Sequence, residues 1–265
     1  MAGQMTGPRI LHIDIETAPI ESYHWSLWKQ NIGLVQIQVD WTILSFCAWW
    51  EGDSERKIIY MDVSEQADLR DDSLLLARLW ELLDEADFIV AQNGKRFDLK
   101  KIKARMVLLN MPPPSPLIVI DTMLIAKEAF AFTSNKLEYM ADKMSTVPKR
   151  KHAEFAGFEL WVECLKGNPR AWRQMRLYNI DDVRSLRQVY LRLRPWAVGH
   201  PNLAAFYPDD TTRCPKCGSD NIQARGFSYT QTGKYQRMHC GGCGGWSRSR
   251  YTLNTLAKRK GLLSN

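Results

Sequence analysis

The sequence predicts an α/β domain, a mixed sheet with helices packed on it, followed by a small cysteine-bearing ribbon. Three observations predict it. Three strand-like stretches come first, joined by connections that suit an antiparallel meander. Helical and short strand-like stretches then alternate, an order that lays helices on a sheet. Near the C-terminus, two Cys-x-x-Cys pairs frame a segment of interleaved aromatic and basic residues.

The first strand spans 9–15, within Ile10-Leu11-His12-Ile13-Asp14-Ile15-Glu16-Thr17. Side chains at i and i+2 of a strand share a face, so Asp14 and Glu16 stand side by side, with Ile13 and Ile15 on the other face. Two adjacent carboxylates repel, and burying them unpaired is costly. A divalent cation with oxygen ligands relieves both problems. An edge strand with one solvated face is the alternative. Residues 18–41 lack either period and carry Pro19, Tyr23, Trp25, Trp28 and Trp41, which makes them a long excursion. Residues 42–50 form the second strand, 51–53 a turn and 56–61 the third strand.

Residues 73–83 place Leu75, Leu76, Leu79, Leu82 and Leu83 at helical spacing, after acidic residues that suit a helix start. Residues 88–91 make a short buried strand. Residues 97–109 make a helix with a basic face of Lys100, Lys101, Lys103 and Arg105. Four prolines make 112–116 a rigid connector. A strand at 117–120, a helix from Asp121 to about 129 and a helix at 135–143 follow. Residues 150–156 read as a basic, mobile loop. Helices at 158–166 and 169–194 come next, the second opening at Pro169 and stopped by Pro195.

This order divides the chain into a sheet domain at 1–195, a linker rich in proline and aromatics at 196–212, and a module at 213–265. A chain of 265 residues accommodates that number of domains. No internal repeat or low-complexity tract is present. No apolar run reaches the roughly 18 residues of a membrane span. Residues 1–8 lack the basic start and apolar core of a secretory signal, so an intracellular protein is expected.

The net charge of +7 is uneven: residues 213–265 carry +9 and the remainder −2. A basic module on a near-neutral body points to a polyanion, nucleic acid before membrane. A basic tail that only aids solubility is the alternative. Of six cysteines, Cys47 and Cys164 lie alone in apolar surroundings and read as small buried residues. Cys214, Cys217, Cys240 and Cys243 form two C-x₂-C pairs with 22 residues between, each followed by a glycine, Gly218 and Gly244. Thiolates so spaced can reach one tetrahedral zinc, and the glycines permit the tight turn beneath it. Disulfides are disfavoured in an intracellular chain. Between and after the pairs lie Arg225, Lys234, Arg237, Arg248 and Arg250, interleaved with Phe227, Tyr229, Tyr235, Trp246 and Tyr251. Gly233 falls where a hairpin would turn. The basic residues suit phosphates; the aromatics suit either base stacking or a cover over the zinc core. The tail residues Lys258, Arg259 and Lys260 add phosphate contacts or remain disordered.

Two further stretches carry acids. Asn93-Gly94-Lys95-Arg96-Phe97-Asp98 follows the fourth strand, and Asp98 opens a helix, where a capping role is also open. In Tyr178-Asn179-Ile180-Asp181-Asp182, Tyr178 and Asp182 stand at i and i+4 on one helix face, with Asp181 nearly as close. An ordinary solvated helix face would also contain such residues.

Asp14-Ile15-Glu16, the Asn93…Phe97-Asp98 segment and Tyr178-x-x-x-Asp182 together resemble the three exonuclease motifs of the DEDD (DnaQ-like) 3′→5′ exonucleases. Tyr178 marks the tyrosine subclass, and a first motif reading D-I-E-T-x-P is similar to that of small bacterial and phage members. The resemblance covers roughly residues 9–194. Ile120-Asp121-Thr122 and Leu137-Glu138-Tyr139-Met140-Ala141 resemble segments between the second and third motifs. The Trp-rich excursion is longer than in minimal members.

The resemblance implies a ribonuclease H-like fold, in which three antiparallel strands extend into parallel ones. It implies hydrolysis of phosphodiester bonds with two Mg or Mn ions beside the structural Zn. Asp14 would bridge the ions, Glu16 and Asp182 would complete one site, and Asp98 would hold the second. Asp182 is preferred to Asp181 by the family spacing. Tyr178 would position or help deprotonate the attacking water, orientation being favoured because an unperturbed tyrosine pKa is about 10, and Asn93 would lie along the nucleic acid. The expected substrate is a single strand or 3′ end, DNA before RNA, in the cytoplasm of a bacterial or phage-infected cell, with room for a replication or repair protein as partner. A non-catalytic nucleic-acid scaffold and a ribonuclease H-type endonuclease are the competing readings. Lying directly after Glu16, the excursion is expected beside the active site, with Trp25 and Trp28 either stacking on terminal bases or packing on the sheet.

Overall fold

In the computed structural model, which describes residues 7–147 and 154–264, strand β1 (Ile10–Thr17) is the middle strand of a five-stranded sheet. Its alternation works as expected. Leu11, Ile13 and Ile15 are buried in the main core, and His12, Asp14 and Glu16 take the opposite face. After β1 the chain leaves the sheet in a flap. Here β2 (Glu21–Ser22) pairs antiparallel with β3 (Ile37–Val39), and a 3₁₀ turn precedes β3 at Leu34–Gln36. Strands of two and three residues carry no readable period, so the sequence shows this stretch only as an excursion.

Next come β4 (Ile43–Trp50) and β5 (Ile59–Asp62), successive antiparallel neighbours of β1. β5 starts later than expected because residues 55–57 close a 3₁₀ turn. Helix α1 (Ser73–Glu85) buries all five expected leucines in the cluster that holds Leu11, Ile13 and Ile15. Each fully buried leucine contributes about 1.5–3 kcal/mol relative to an exposed one. β6 (Phe88–Ala91) lies parallel to β1 on its other side. α2 (Asp98–Leu108) leads to β7 (Ile118–Asp121), parallel to β6. The sheet order is β5-β4-β1-β6-β7, the mixed sheet that the order of elements predicts. Helices α3 (Thr122–Ala129), α4 (Leu137–Met144), α5 (Glu159–Leu165) and α6 (Pro169–Leu193) follow. The basic loop expected at 150–156 falls mostly outside the described residues. Cys47 and Cys164 are fully buried.

The chain divides into two compact units. One, Arg9–Leu124 with Phe132–Tyr190, holds the five-stranded sheet. The other includes Ile125–Ala131 and the chain from Leu191 onward. Within it, 196–212 contains a 3₁₀ turn at Leu203–Phe206, capped by the Asn202 side chain, and the Leu203 amide donates to the Pro215 carbonyl at 2.8 Å. Strands β8 (Ile222–Tyr229), β9 (Lys234–Cys240) and β10 (Trp246–Arg248) then form an antiparallel sheet, order β10-β9-β8, and α7 (Leu256–Lys260) closes the unit. No helix among the described residues is long and apolar enough to cross a membrane.

Candidate active site

Asp14 and Glu16 face α6, where Asp182 joins them; one carboxylate oxygen from each lies within 4.8 Å of the others. Asp181, one residue away, turns aside and pairs with Arg184 at 3.2 Å. Neighbours on a helix point about 100° apart, so only one of two adjacent acids can enter the cluster. Asp98 is outside that set of three. It opens α2, and its Oδ1 accepts from the Ile15 amide on β1 at 3.3 Å. The Phe97-Asp98 turn is held by another acid: Asp121 accepts from the amides of Asn93 (3.1 Å) and Lys95 (3.2 Å) as well as from Met123 (3.0 Å) at the start of α3. Asn93 has a left-handed backbone, φ 60°, which asparagine tolerates, and its carbonyl accepts from the Arg96 and Phe97 amides. Its visible part is to shape the turn into α2.

These acids raise one another's proton affinity. Burial, then the charges of Glu16, Asp182 and Asp98, holds the Asp14 carboxyl well above the usual carboxylate range. Burial and Asp182 push Glu16 up to about 8, and burial pushes Asp98 and Asp182 to about 7. Tyr178 is raised too, by burial and then by Asp182, Glu16 and Asp14, so its hydroxyl keeps its proton at neutral pH. Partly buried carboxylates packed together, each favouring its neutral form, have a donor set and a charge surplus that fit a divalent cation.

Two side chains that sequence reasoning missed hold the cluster. Asn179 is fully buried; its Nδ2 donates to Asp14 Oδ2 at 2.6 Å, and its Oδ1 accepts from Ser45 Oγ at 3.3 Å. It lies three residues before Asp182 on the same helix face, and that spacing was the available signal. Trp161 on α5 donates from Nε1 to Glu16 Oε2 at 3.1 Å and meets the Tyr178 ring edge-on, centroids 5.9 Å apart. Nothing local to Trp161 announces this contact.

In the C-terminal unit, the four sulfurs of Cys214, Cys217, Cys240 and Cys243 lie within 4.8 Å of one another, with Cys214–Cys243 at 3.7 Å and Cys217–Cys240 at 3.6 Å. A tetrahedral ion with metal–sulfur bonds of about 2.3 Å requires sulfur separations of about 3.8 Å. The two pairs are built alike: Gly218 donates to the Cys214 carbonyl and Gly244 to the Cys240 carbonyl, both at 2.9 Å, with φ of 76° and 78°. Both glycines occupy the left-handed region that a tight turn requires. Gly233 lies in the β8–β9 turn.

The expected nucleic-acid residues of this unit lie along the ribbon. Lys234 sits 3.9 Å above the Phe227 ring, Arg237 4.9 Å above Trp246, Arg248 3.9 Å above Tyr235 and Arg250 5.7 Å above Tyr251. Arg225 is exposed and bonds Gln223. Tyr229 and Tyr251 are largely exposed, Phe227 and Trp246 about half exposed, and Tyr235 partly buried.

No curated protein matches this sequence. Among solved structures, the family B DNA polymerase from the hyperthermophilic archaeon Pyrobaculum calidifontis is similar, with TM-score 0.51 and 17% identity over 71% of this chain. The match covers 25% of that polymerase, so this chain corresponds to about a quarter of its length. The likeness is one of fold. The RNase_H superfamily (RNase_H_2) matches residues 32–194, from the flap to the end of α6. That span carries Asp98, Tyr178 and Asp182, and β1 adds Asp14 and Glu16 through its pairing with β4 and β6. By this match the chain belongs to the RNase_H superfamily.

Proposed function

We propose that this protein is a metal-dependent 3′→5′ exonuclease that removes nucleotides from nucleic acid, DNA before RNA, with its ribbon as a substrate arm. The observation that carries the reading is the cluster of Asp14, Glu16 and Asp182 with the Tyr178 side chain against it. Asp14, Glu16 and Asp182 would hold one Mg or Mn ion, and Asp14 with Asp98 a second. With ions held there, the attacking water would be activated and charge on the phosphate and on the departing 3′ oxygen neutralised. The chain's own residues position the reactants. Asn179 and Trp161 hold the Asp14 and Glu16 carboxylates at fixed angles. The protonated Tyr178 hydroxyl is suited to orient the attacking water rather than to take its proton. Water oxygen bonds to phosphorus and gives up a proton to solvent, the bond to the 3′ oxygen breaks, that oxygen takes up a proton from solvent, and a nucleoside 5′-monophosphate leaves.

The four cysteines would hold one structural Zn. Around it, Arg225, Lys234, Arg237, Arg248 and Arg250 would neutralise phosphates, with the exposed aromatics stacking on bases. The deciding experiment follows the labelled ends of matched single- and double-stranded DNA and RNA with Mg or Mn present. Mononucleotides released progressively from the 3′ end are expected. Internal fragments would turn the reading to an endonuclease, and binding without any product to a scaffold.

A further inference from the structure

The flap between β1 and β4 has an unusual surface. Trp25 is fully exposed; Leu27, Trp28, Leu34 and Val35 are at least 82% exposed and Tyr23 73%. Of the two placements expected for the tryptophans, packing on the sheet is not what the structure shows. Isolated apolar residues on a surface are ordinary, but a run of them within thirteen positions marks an interaction site.

The flap is nevertheless built. The Ala18 amide donates to the Thr42 carbonyl at 2.8 Å, closing its base two residues beyond Glu16. Arg70 clamps both strands of the neck, donating to the carbonyls of Pro19 (3.0 Å) and Asp40 (3.2 Å) and pairing with Glu21. Gln36 donates to the Tyr23 carbonyl at 2.9 Å and accepts from the Gly33 amide at 2.8 Å. An anchored neck therefore presents uncovered rings.

A second feature identifies the occupant. Helix α2 begins at Asp98, and around that start Lys95, Arg96, Lys100 and Lys103 are exposed. Arg105, expected on the same basic face, instead turns to the buried Asp72, at 2.7 and 2.8 Å. Lys101 joins helix to flap: its Nζ lies 3.8 Å above the Trp41 ring at the foot of the flap and 5.4 Å from that of Phe97. Aromatic rings thus lead away from Glu16 and positive charge leads away from Asp98. An apolar protein surface would use the rings and leave the lysines idle. A single strand uses both, stacking bases on rings and setting phosphates against lysines.

We propose that the flap and the outer face of α2 form a track for single-stranded nucleic acid entering the acidic cluster, with Trp25 and Trp28 stacking on unpaired bases. The proposal rests on the nuclease reading of that cluster. It is tested with the whole 265-residue chain, a 5′-fluorescein oligothymidylate 20-mer and a blunt duplex of the same length, with Ca in place of Mg or Mn so that the cysteine-held ion is not stripped. Trp25→Ala/Trp28→Ala is expected to melt like the parent, because both rings stand in solvent. Its Kd for the single strand is expected to rise about 10- to 100-fold, the effect of removing the stacking platform for one or two bases. Its Kd for the duplex is expected to change much less. Lys100→Ala/Lys103→Ala is expected to lower the slope of log affinity against log salt by about 0.7 for each phosphate left without its lysine. Single-strand affinity unchanged in both variants overturns the proposal, and weakened self-association or a weakened protein complex in the tryptophan variant would then assign the flap to protein docking. Cleavage on adding Mg or Mn is scored separately. A parent that cleaves while the variants bind like it defeats this inference alone. A parent that binds through the tryptophans but cleaves nothing defeats the nuclease reading alone.

Discussion

The polar face of β1 meets the polypeptide around it in opposite ways at its two ends. At one end His12, fully buried, bonds Glu51 at 2.8 Å, and Arg187 of α6 grips the same carboxylate at 2.7 and 3.1 Å. Burial alone would raise the proton affinity of Glu51, but the hydrogen bonds from His12 and Arg187 bring it down to about 2. Two and four residues further on, Asp14 and Glu16 meet another acid, Asp182, and the donors that reach them, Asn179 and Trp161, are neutral. One strand and one helix thus build a charge cluster balanced from within and another left with surplus negative charge. The first needs nothing more to be stable. The second would gain its balance from an added cation, and on the proposed reading that cation is what the site would do its chemistry with.

That contrast is most sharply broken at the acidic end. Asp14→Asn or Asp182→Asn is expected to reduce metal-dependent hydrolysis by at least about 10²–10³-fold, the scale of removing one preorganised electrostatic group. Melting of the metal-free protein is expected to hold or rise, since one repelling charge is gone. Asp181→Asn, whose side chain turns to Arg184, is expected to keep most activity. Full activity in either cluster variant would remove that residue from the site.

Asn179→Ala tests whether neutral donors matter. It leaves all the acids in place and frees the Asp14 carboxylate to rotate. Activity or metal affinity is expected to fall about 10- to 100-fold, as for other partners of metal ligands. A shift in the Mg concentration giving half-maximal rate, with melting little changed, would separate this from unfolding.

At the balanced end, Arg187→Ala is expected to act on stability instead. Both side chains of its pair with Glu51 keep about a quarter of their exposure, so the cost is expected at about 1–3 kcal/mol, below the 3–5 of a fully buried pair. Urea melts read the change, and the rate of the protein that remains folded is expected to stay within about twofold of the parent.

The pH dependence of metal-free stability distinguishes the ends with no substitution. Glu16, Asp98 and Asp182 bind protons more tightly folded than unfolded, at about 8, 7 and 7. Their contribution is therefore full below about pH 4 and lost as pH rises through 7 to 8. Glu51 has the opposite sign: its contribution is present above about pH 4.5 and lost only as pH falls through about 2. Between about pH 4.5 and 8 Glu51 contributes no slope and the three carboxyls a falling one. His200, whose imidazole is held below its usual value by burial, opposes that fall only in part. Melting temperature in EDTA is therefore expected to fall as pH rises, and added Mg or Mn is expected to flatten the curve. A flat curve in EDTA would mean that the carboxyls titrate normally.

The features legible in the sequence are those written in local periodicity and spacing. Alternation along Ile10–Thr17 determined which side chains of β1 face the core, because a strand has only two faces. Leucines at helical spacing determined the buried side of α1. The two C-x₂-C-Gly repeats determined a four-sulfur cluster, since each pair and its glycine form one tight turn. The tertiary structure decided everything that depends on where one element docks on another. Adjacent acids on α6 look alike in sequence, and the angle at which that helix meets β1 sends Asp182 inward and Asp181 to Arg184. Trp161 reaches Glu16 across 145 residues, and Arg105 leaves its basic face for Asp72, 33 residues away. The rings of Trp25 and Trp28 were equally compatible with burial and exposure, because apolar character says that a side chain gains by being covered, not what covers it.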